Sequence, residues 1–147
     1  MLRHLQRLFV IVLVSFLVQT VYLPLLPAAD NSALTIDDVL KNVDPSAVTK
    51  AQVKVYFKEV NGRKVKGEGT VVNVFPGTRD THRIAVLAAG SDPEKGYNVM
   101  LYVSQEARPD VNKNDRIAFE GEISRLSAYK GALIDIHAAT FQKMEAK

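Results

Sequence analysis

Residues 114–126, NDRIAFEGEISRL, contain a β-strand with a glycine in its middle. Isoleucine and phenylalanine alternate with arginine, alanine and glutamate, a pattern that predicts one buried side and one solvated side. Gly121 falls on the buried side, where a strand normally keeps a large side chain. Glycine inside a strand marks a bend or the close approach of another backbone. This stretch therefore predicts a tightly coiled sheet.

Four other segments after Lys64 have strand patterns, with turn residues between them. A longer and less regular stretch separates the third strand from the fourth. Five strands interrupted at this point have the order of an OB-fold, a small five-stranded Greek-key barrel. We therefore predict a mainly β domain over residues 64–147, in which Gly67 and Gly69 bend the first strand. The predicted strands are 66–75, 82–89, 97–103, 115–126 and 131–144.

Two short α-helices are predicted ahead of the barrel. Thr35 is a candidate N-cap, and two aspartates after it suit the positive end of a helix dipole. This helix is expected to end near Val43. Thr49 and Gln52 form a capping box that begins a second helix, and Asn61-Gly62 ends it. The apolar residues of the second helix share one face: Val53, Tyr56, Phe57 and Val60.

Residues 1–29 have the three parts of a secretory signal peptide. Two arginines lie near the start, an apolar run follows from Leu8 to Val18, and the pair Ala28-Ala29 supplies a small-residue cleavage site. Cleavage there leaves residues 30–63 as a linker with the two helices. The alternative is an uncut membrane anchor, because the apolar region extended to Leu26 approaches the ~20 residues that a span needs. We predict a periplasmic or secreted protein.

Charge and cysteine content argue against several classes of function. The 147 residues include 19 Lys and Arg against 16 Asp and Glu, and Arg3 and Arg7 belong to the predicted signal. The remaining chain has 17 basic and 16 acidic residues, a net charge of +1. A nucleic-acid-binding domain usually shows a strong basic excess, so this balance does not favour nucleic acid. The absence of cysteine excludes disulfides and thiolate chemistry.

The pattern of these segments resembles a known group of proteins. An apolar helix ending in Asn-Gly precedes Gly-x-Gly-x-Val-x-x-Val, and Asn-Asp-Arg-Ile-x-Phe-x-Gly-x-Ile follows the central strands. The chain looks like the exported bacterial OB-fold proteins of the tRNA-anticodon-binding-like group and the periplasmic bacterial OB-fold type. The resemblance implies a fold and no particular ligand. It depends on Asn61, Gly62, Gly67, Gly69, Val71, Val74, Asn114, Asp115, Ile117, Gly121 and Ile123.

OB-folds bind ligands on the outer face of strands 2 and 3, between the loops that join strands 1–2 and 4–5. Alternation points Met100 and Tyr102 outward on the third strand. On the second strand it points Ala85 and Leu87 outward beside Arg83. Arginine neutralises phosphate and tyrosine offers a stacking surface, the two elements of single-strand binding. The candidate ligand-binding residues are Arg79, Arg83, Tyr102, Arg125, Tyr129 and Lys130.

Two patterns of acidic residues are candidates for a catalytic or a metal site. Glu120 and Glu122 lie about 7 Å apart along one strand face, a spacing that suits paired catalytic carboxylates or a solvated strand face. We favour the solvated face and predict no enzyme. Asp135 and His137 share a face of the last strand, but a metal site needs three or four ligands. We therefore interpret them as surface residues and predict no metal or cofactor.

These observations predict an exported, non-enzymatic OB-fold binding module. Its ligand remains open between a small anion, an envelope glycan or peptide, and an oligonucleotide. The alternative function is a structural or assembly partner in the cell envelope, which would use the amphipathic helix 49–60 or a barrel edge. Contact with the membrane is expected only if the N-terminal segment stays uncut.

Overall fold

Both predicted helices are present in the computed structural model, which describes residues 34–78, 81–104, 109–127 and 133–145. Helix α1 spans Ile36–Val43, and the Thr35 hydroxyl accepts a hydrogen bond from the Asp38 amide at 3.2 Å. Helix α2 spans Lys50–Val60 and begins with the complete Thr49–Gln52 capping box. The predicted helix signals are confirmed because each cap satisfies backbone groups within its own turn.

Five strands close into a barrel after these helices: β1 Lys64–Thr78, β2 Thr81–Ala88, β3 Val99–Ser104, β4 Arg116–Ser127 and β5 Leu133–Lys143. Strand β1 pairs with β2, β2 with β3, β3 with β5, β5 with β4, and β4 pairs back with β1. Only the β3–β5 pairing is parallel among these described strands, and the other four are antiparallel. The closed barrel is compatible with an OB-like fold.

Every strand differs from its predicted bounds by one to three residues at one or both ends, including the end of β1 and the start of β3. Strand β1 continues through the expected turn at Pro76-Gly77, and its pairing with β2 is irregular between Phe75 and Thr78. Proline lacks a backbone donor and is tolerated at such an irregularity. Strand β3 starts at Val99, two residues later than predicted, and the side chain of the preceding residue, Asn98, binds the end of β2 and the segment that follows it. Its carboxamide oxygen accepts from the Ala88 amide at 2.9 Å, and its nitrogen donates to the Ser91 hydroxyl at 2.7 Å.

The barrel interior is filled by apolar side chains that alternate along every strand. The apolar stripes of α1 and α2 add Ile36, Val39 and Val60 to the same core. A two-residue strand, Leu34–Thr35, runs parallel to the start of β1 and brings α1 onto the barrel. The largest fully buried barrel residues are Val65, Val71, Ile84, Leu101, Ile117, Ile123, Ile134 and Ile136.

Gly121 is required by close packing between β4 and β5. A Cβ atom there would lie 2.8 Å from the His137 carbonyl oxygen and 3.1 Å from Ala139 Cα. The pairing also shifts register between Glu120 and Glu122, so Gly121 is at a β-bulge. Both expected uses of this glycine, a local bend and the close approach of another backbone, are therefore present.

Within the described residues, no helix has the length and apolar content needed to cross a membrane. The predicted signal segment, 1–29, lies outside those residues.

Candidate binding face

Two β-bulges in the β4–β5 ladder determine which side chains meet on the outside of the barrel. Ile123 pairs with Ile136, yet Arg125 pairs with Asp135, so Ser124 is an extra residue in β4. Without this bulge Ser124 would lie opposite Asp135. The Ser124 hydroxyl instead donates to the Asp135 carbonyl at 3.2 Å. A bulge commonly re-aims a side chain, and this one places a guanidinium opposite a carboxylate.

The second bulge lies on β5, next to His137. Glu122 pairs with His137 and Glu120 with Thr140, so one residue of β4 faces both Ala138 and Ala139. Ala138 has a φ of 47°, in the left-handed region that side-chain-bearing residues rarely adopt. The bulge leaves His137 and Ala138 both exposed before the inward pattern resumes at Ala139. Strained backbone of this kind is concentrated at functional sites.

Asp135 is the centre of the resulting cluster. Its side chain is only 7% exposed, and its Oδ2 atom lies 2.8 Å from Arg125 Nε. The Tyr102 hydroxyl donates a long hydrogen bond of 3.5 Å to the same oxygen. The other oxygen, Oδ1, is buried and has no hydrogen-bond partner among the described residues. A buried carboxylate with one unsatisfied oxygen is costly, and in native proteins it calls for an explanation.

Tyr102 and His137 form the aromatic part of the cluster. Their ring centroids are 4.4 Å apart and the ring planes are tilted by 48°. Burial raises the pKa of the Tyr102 hydroxyl above its usual value of 10.0, and the nearby Asp135 carboxylate raises it further. Arg125 and Arg83 act in the opposite direction on this pKa. The phenol thus stays protonated and remains a hydrogen-bond donor at neutral pH.

Arg83 lies beside Tyr102 on the neighbouring strand, in direct cross-strand register. Its side chain is exposed, and its guanidinium carbon lies 5.6 Å from the centre of the Phe75 ring. This cation–π contact orients Arg83 without neutralising its charge. We call the surface formed by Arg83, Tyr102, Arg125, Asp135 and His137 the Asp135 face.

The structure brings together three of the six predicted site residues. Arg83, Tyr102 and Arg125 lie on the Asp135 face, and two of them contact the same carboxylate oxygen. The other three, Arg79, Tyr129 and Lys130, lie outside the described residues. Their assignment to the ligand-binding surface stays a prediction.

The interpretation of Asp135 as a surface residue was wrong, because its side chain is packed beneath Arg125 and Tyr102 contacts it. Met100 and Ala85 also point outward as predicted but are buried, at 7% and 0% exposure. They form one row with Asp135 across β2, β3 and β5. Alternation predicts the direction in which a side chain points. Burial also depends on what packs over the side chain, and alternation carries no information about that.

The acidic residues of the sequence bear on two further kinds of site, a metal site and a pair of catalytic carboxylates. In the described part of the chain, no group of three or more histidine, aspartate or glutamate side chains is arranged to hold a metal ion. Glu120 and Glu122 are both exposed on β4. Glu120 lies 3.9 Å from Lys64 Nζ, in a solvent-exposed ion pair. This arrangement is that of a solvated strand face.

A separate groove of about 760 Å³ lies between the start of α1 and strands β1, β4 and β5. Its lining includes none of the Asp135 face residues. Two of its carboxylates are exposed and already paired, Glu120 with Lys64 and Glu68 with Arg116 at 3.6 Å. We consider the Asp135 face the better candidate site, since it has a buried, incompletely satisfied carboxylate, whereas the charged side chains that line the groove are exposed to solvent.

Comparison of the sequence with models of known protein families finds no match, and comparison with curated proteins finds none either.

Proposed function

We propose that the protein is an exported, non-enzymatic OB-fold module that binds its ligand on the Asp135 face. It would belong with the exported bacterial OB-fold proteins of the tRNA-anticodon-binding-like or periplasmic type. The face includes the outer surface of β2 and β3, where OB-folds bind. Arg79 in the 1–2 loop and Tyr129 and Lys130 in the 4–5 loop are proposed to complete it.

The buried Asp135 carboxylate is the observation that carries this proposal. An unsatisfied buried acceptor costs about 1–3 kcal/mol, and a solvated residue at this position would avoid that cost. Asp135 fixes Arg125 at 2.8 Å and accepts from Tyr102 at 3.5 Å. A binding role accounts for the arrangement, because side chains held in place lose less conformational entropy when a ligand arrives.

Binding is favoured over catalysis because of how the carboxylate is used. Asp135 is held by a cation and a phenol beneath the surface, so it is poorly placed to exchange protons with a substrate. The proposal needs no metal or cofactor. Export rests on the signal pattern of residues 1–29, and it makes envelope molecules the relevant ligands.

A chemical-shift experiment tests the proposal. The ¹⁵N-labelled protein, as the cell processes it, is titrated separately with inorganic phosphate, a neutral trisaccharide, a mixed-sequence peptide and the oligonucleotide dT10. We expect at least one probe to shift amides of β2, β3 and the Arg125–Asp135 pair in a saturable manner. The variant Arg83→Ala/Arg125→Ala is expected to lose this response.

Arg63→Ala/Arg116→Ala is the matched control, because it removes two exposed arginines outside the Asp135 face. It should bind like the wild type. Equal losses in both double variants would show that only overall charge matters. No response on the Asp135 face with any probe would overturn the proposal.

The alternative, an envelope assembly partner, has one observation in its favour. Val55 on α2 is 59% exposed, whereas Val53 and Val60 are buried. A single exposed valine is common on protein surfaces, so it does not outweigh the Asp135 face. Shifts confined to α2 in the same experiment would favour this alternative.

A further inference from the structure

We propose that Arg125 binds an oxyanion through its two terminal nitrogens, and that the ligand is a small anion whose ring lies against Tyr102. This inference rests on the proposed binding function and identifies its ligand class. The anionic group is a carboxylate or a phosphate. The experiment below distinguishes these two sources.

The first support is the way in which Asp135 holds Arg125. A guanidinium has five N–H donors in a fixed plane, and carboxylates or phosphates bind best to two of them at once. Asp135 Oδ2 lies 2.8 Å from Nε, at the inner edge of the guanidinium. The Arg125 side chain is 59% exposed and has no second ion pair among the described residues. The pair of terminal Nη groups is therefore accessible to an incoming oxyanion.

The second support is the burial of Asp135 beneath Arg125. A surface carboxylate would repel an anionic ligand, but the Asp135 side chain is 7% exposed and is shielded from solvent. Its negative charge acts mainly on Arg125 and Tyr102, while the more exposed guanidinium faces outward. The unsatisfied Oδ1 atom shows that the carboxylate is retained despite an incomplete hydrogen-bond set. This is the arrangement expected of a positioning residue.

The aromatic pair indicates a ring in the ligand. Tyr102 lies between Arg83 on β2 and the Asp135–Arg125 pair, and its ring contacts His137 at a centroid distance of 4.4 Å. Both arginines are close enough to lower the pKa of the Tyr102 hydroxyl. A planar ring on Tyr102 would thus have a cation on either side. Stacking of this kind contributes about 1–3 kcal/mol for a nucleobase.

Charge balance favours a small ligand over a polymer. The Asp135 face has Arg83 and Arg125, but Glu122 lies opposite the exposed His137 in the adjoining ladder. The chain after the predicted signal has a net charge of only +1. A long single strand gains affinity from each phosphate it places near a cation. In the described part of the Asp135 face, two arginines and a neighbouring carboxylate suit one anionic group better than a series of them.

The test measures the affinity of inorganic phosphate, benzoate, uridine 5′-monophosphate and dT10 by chemical shift at several salt concentrations. We expect at least one ring-bearing small anion to bind about tenfold more tightly than inorganic phosphate. Benzoate alone would identify a carboxylate site, and the nucleotide alone a phosphate site. Binding of dT10 with a steep salt dependence, about 0.7 per phosphate in the log–log slope, would overturn the small-ligand inference.

Arg125→Lys preserves charge and removes the planar fork. It should weaken binding of the ring-bearing anion about tenfold, because a lysine cannot form the bidentate contact. Arg116→Lys is the matched control, since Arg116 is similarly exposed and pairs with an exposed carboxylate, Glu68. That control should remain within about twofold of the wild type. Equal effects of both substitutions would contradict the inference.

Asp135→Asn gives the sharpest outcome because two explanations predict opposite signs. On a merely basic surface, removal of a negative charge strengthens anion binding. If Asp135 positions Arg125, its loss weakens anion binding although the net charge rises. Tyr102→Leu covers the case in which Asp135→Asn does not fold. It should weaken binding of the ring-bearing anion much more than binding of inorganic phosphate, because only the ring would lie against Tyr102. Equal losses for both ligands would contradict the ring contact.

Different results would contradict the proposed binding function and the small-anion inference. If dT10, a peptide or a trisaccharide alone binds the Asp135 face, the binding function stands and the small-anion inference is wrong. Tighter anion binding by Asp135→Asn also overturns the inference only. If none of the probes in either experiment shifts this face, both proposals fail.

Discussion

Asp115 and Asp135 are two aspartates of one barrel with opposite environments. The Asp115 side chain is 20% exposed, and its Oδ2 atom accepts from the Asn112 amide at 2.8 Å and lies 2.9 Å from Lys143 Nζ. The Asp135 side chain is 7% exposed and leaves one oxygen without a partner among the described residues. Asp115 closes a turn. Among the described residues the Asp135 carboxylate binds no backbone group, and it holds an arginine and a tyrosine from two other strands.

The difference between the two aspartates shows which interactions can be predicted from neighbouring residues in the sequence. Asp115 binds an amide three residues earlier, next to Asn114 at a φ of 74°. Such a side-chain-to-backbone turn is a local property of the Asn-Lys-Asn-Asp stretch. Asp135 meets Arg125 because Ser124 bulges out of β4, and it meets Tyr102 through a parallel pairing of β3 and β5. Neither contact follows from neighbouring residues.

The largest predicted effect concerns the bulged ladder that supports Asp135. Gly121→Ala would place a methyl group 2.8 Å from the His137 carbonyl oxygen, so the β4–β5 pair must separate or rearrange. We expect a loss of about 3 kcal/mol in the free energy of unfolding, measured by urea denaturation. Gly62→Ala is the control, because its methyl group meets nothing within 4 Å and only its φ of 76° is unfavourable. A smaller loss in Gly121→Ala than in Gly62→Ala would contradict the packing account.

The second prediction removes the cation from each aspartate in turn. Arg125→Ala leaves a buried carboxylate with only the weak Tyr102 contact, and we expect a loss of about 2 kcal/mol. Lys143→Ala leaves Asp115 partly solvated and still bonded to the Asn112 amide, so its effect should be clearly smaller. Both variants are compared by thermal and urea unfolding at neutral pH. Equal losses would mean that the two aspartates do not differ as described.

A third substitution relieves strain beside the Asp135 face. Ala138→Gly removes the Cβ atom from a residue with a φ of 47°. Left-handed backbone costs an L-residue about 1–2 kcal/mol, and the extra freedom of glycine in the unfolded chain offsets part of it. We expect the free energy of unfolding, measured by urea denaturation, to increase by about 0.5 kcal/mol. The neighbouring Ala139→Gly lacks this strain and should destabilise instead, so a loss in both variants would rule out strain at Ala138.

The smallest expected effect is a pH dependence at Asp115. The Asn112 amide, and next the Lys143 ammonium, hold the pKa of the Asp115 carboxyl below its usual value of 3.8. A carboxyl with a lowered folded-state pKa contributes stability above its unfolded pKa, and this stability is lost as pH falls through the folded pKa. The free energy of unfolding, measured between pH 5 and about pH 2, should therefore decrease more steeply with falling pH in the wild type than in Asp115→Asn. Parallel pH curves for the two proteins would show that Asp115 does not contribute to acid unfolding.

Local patterns identified much of the fold. The caps at Thr35 and Thr49, the alternation of β4 and the need for glycine at 121 were all visible in the sequence, and the structure has them. These features depend on hydrogen bonds within one turn or on which side of a strand a residue lies. The closed order of five strands also followed from the strand and turn pattern. Strand ends were less accurate, as at Pro76-Gly77.

The candidate site was only partly predictable. Arg83, Tyr102 and Arg125 were selected from OB-fold geometry, whereas Asp135 was interpreted as a surface residue. The sequence pattern gives His137 the same surface interpretation, although it places His137 and Asp135 on one face of the strand. An aspartate between two isoleucines in Leu133–His137 was the available signal, since a charged residue in an apolar run often has a structural or binding role.

The sequence by itself determined the helices, the strand faces and the glycine that permits close packing, because each depends on steric and hydrogen-bonding rules over a few residues. Only the tertiary structure decided that Asp135 lies beneath Arg125 and contacts Tyr102. Those contacts depend on ladder register, and one extra residue in β4 changes which side chains are opposite each other. Register is set by the packing of the whole barrel. The proposed binding face is therefore a product of the closed sheet, and its residues acquire their roles only when all five strands are paired.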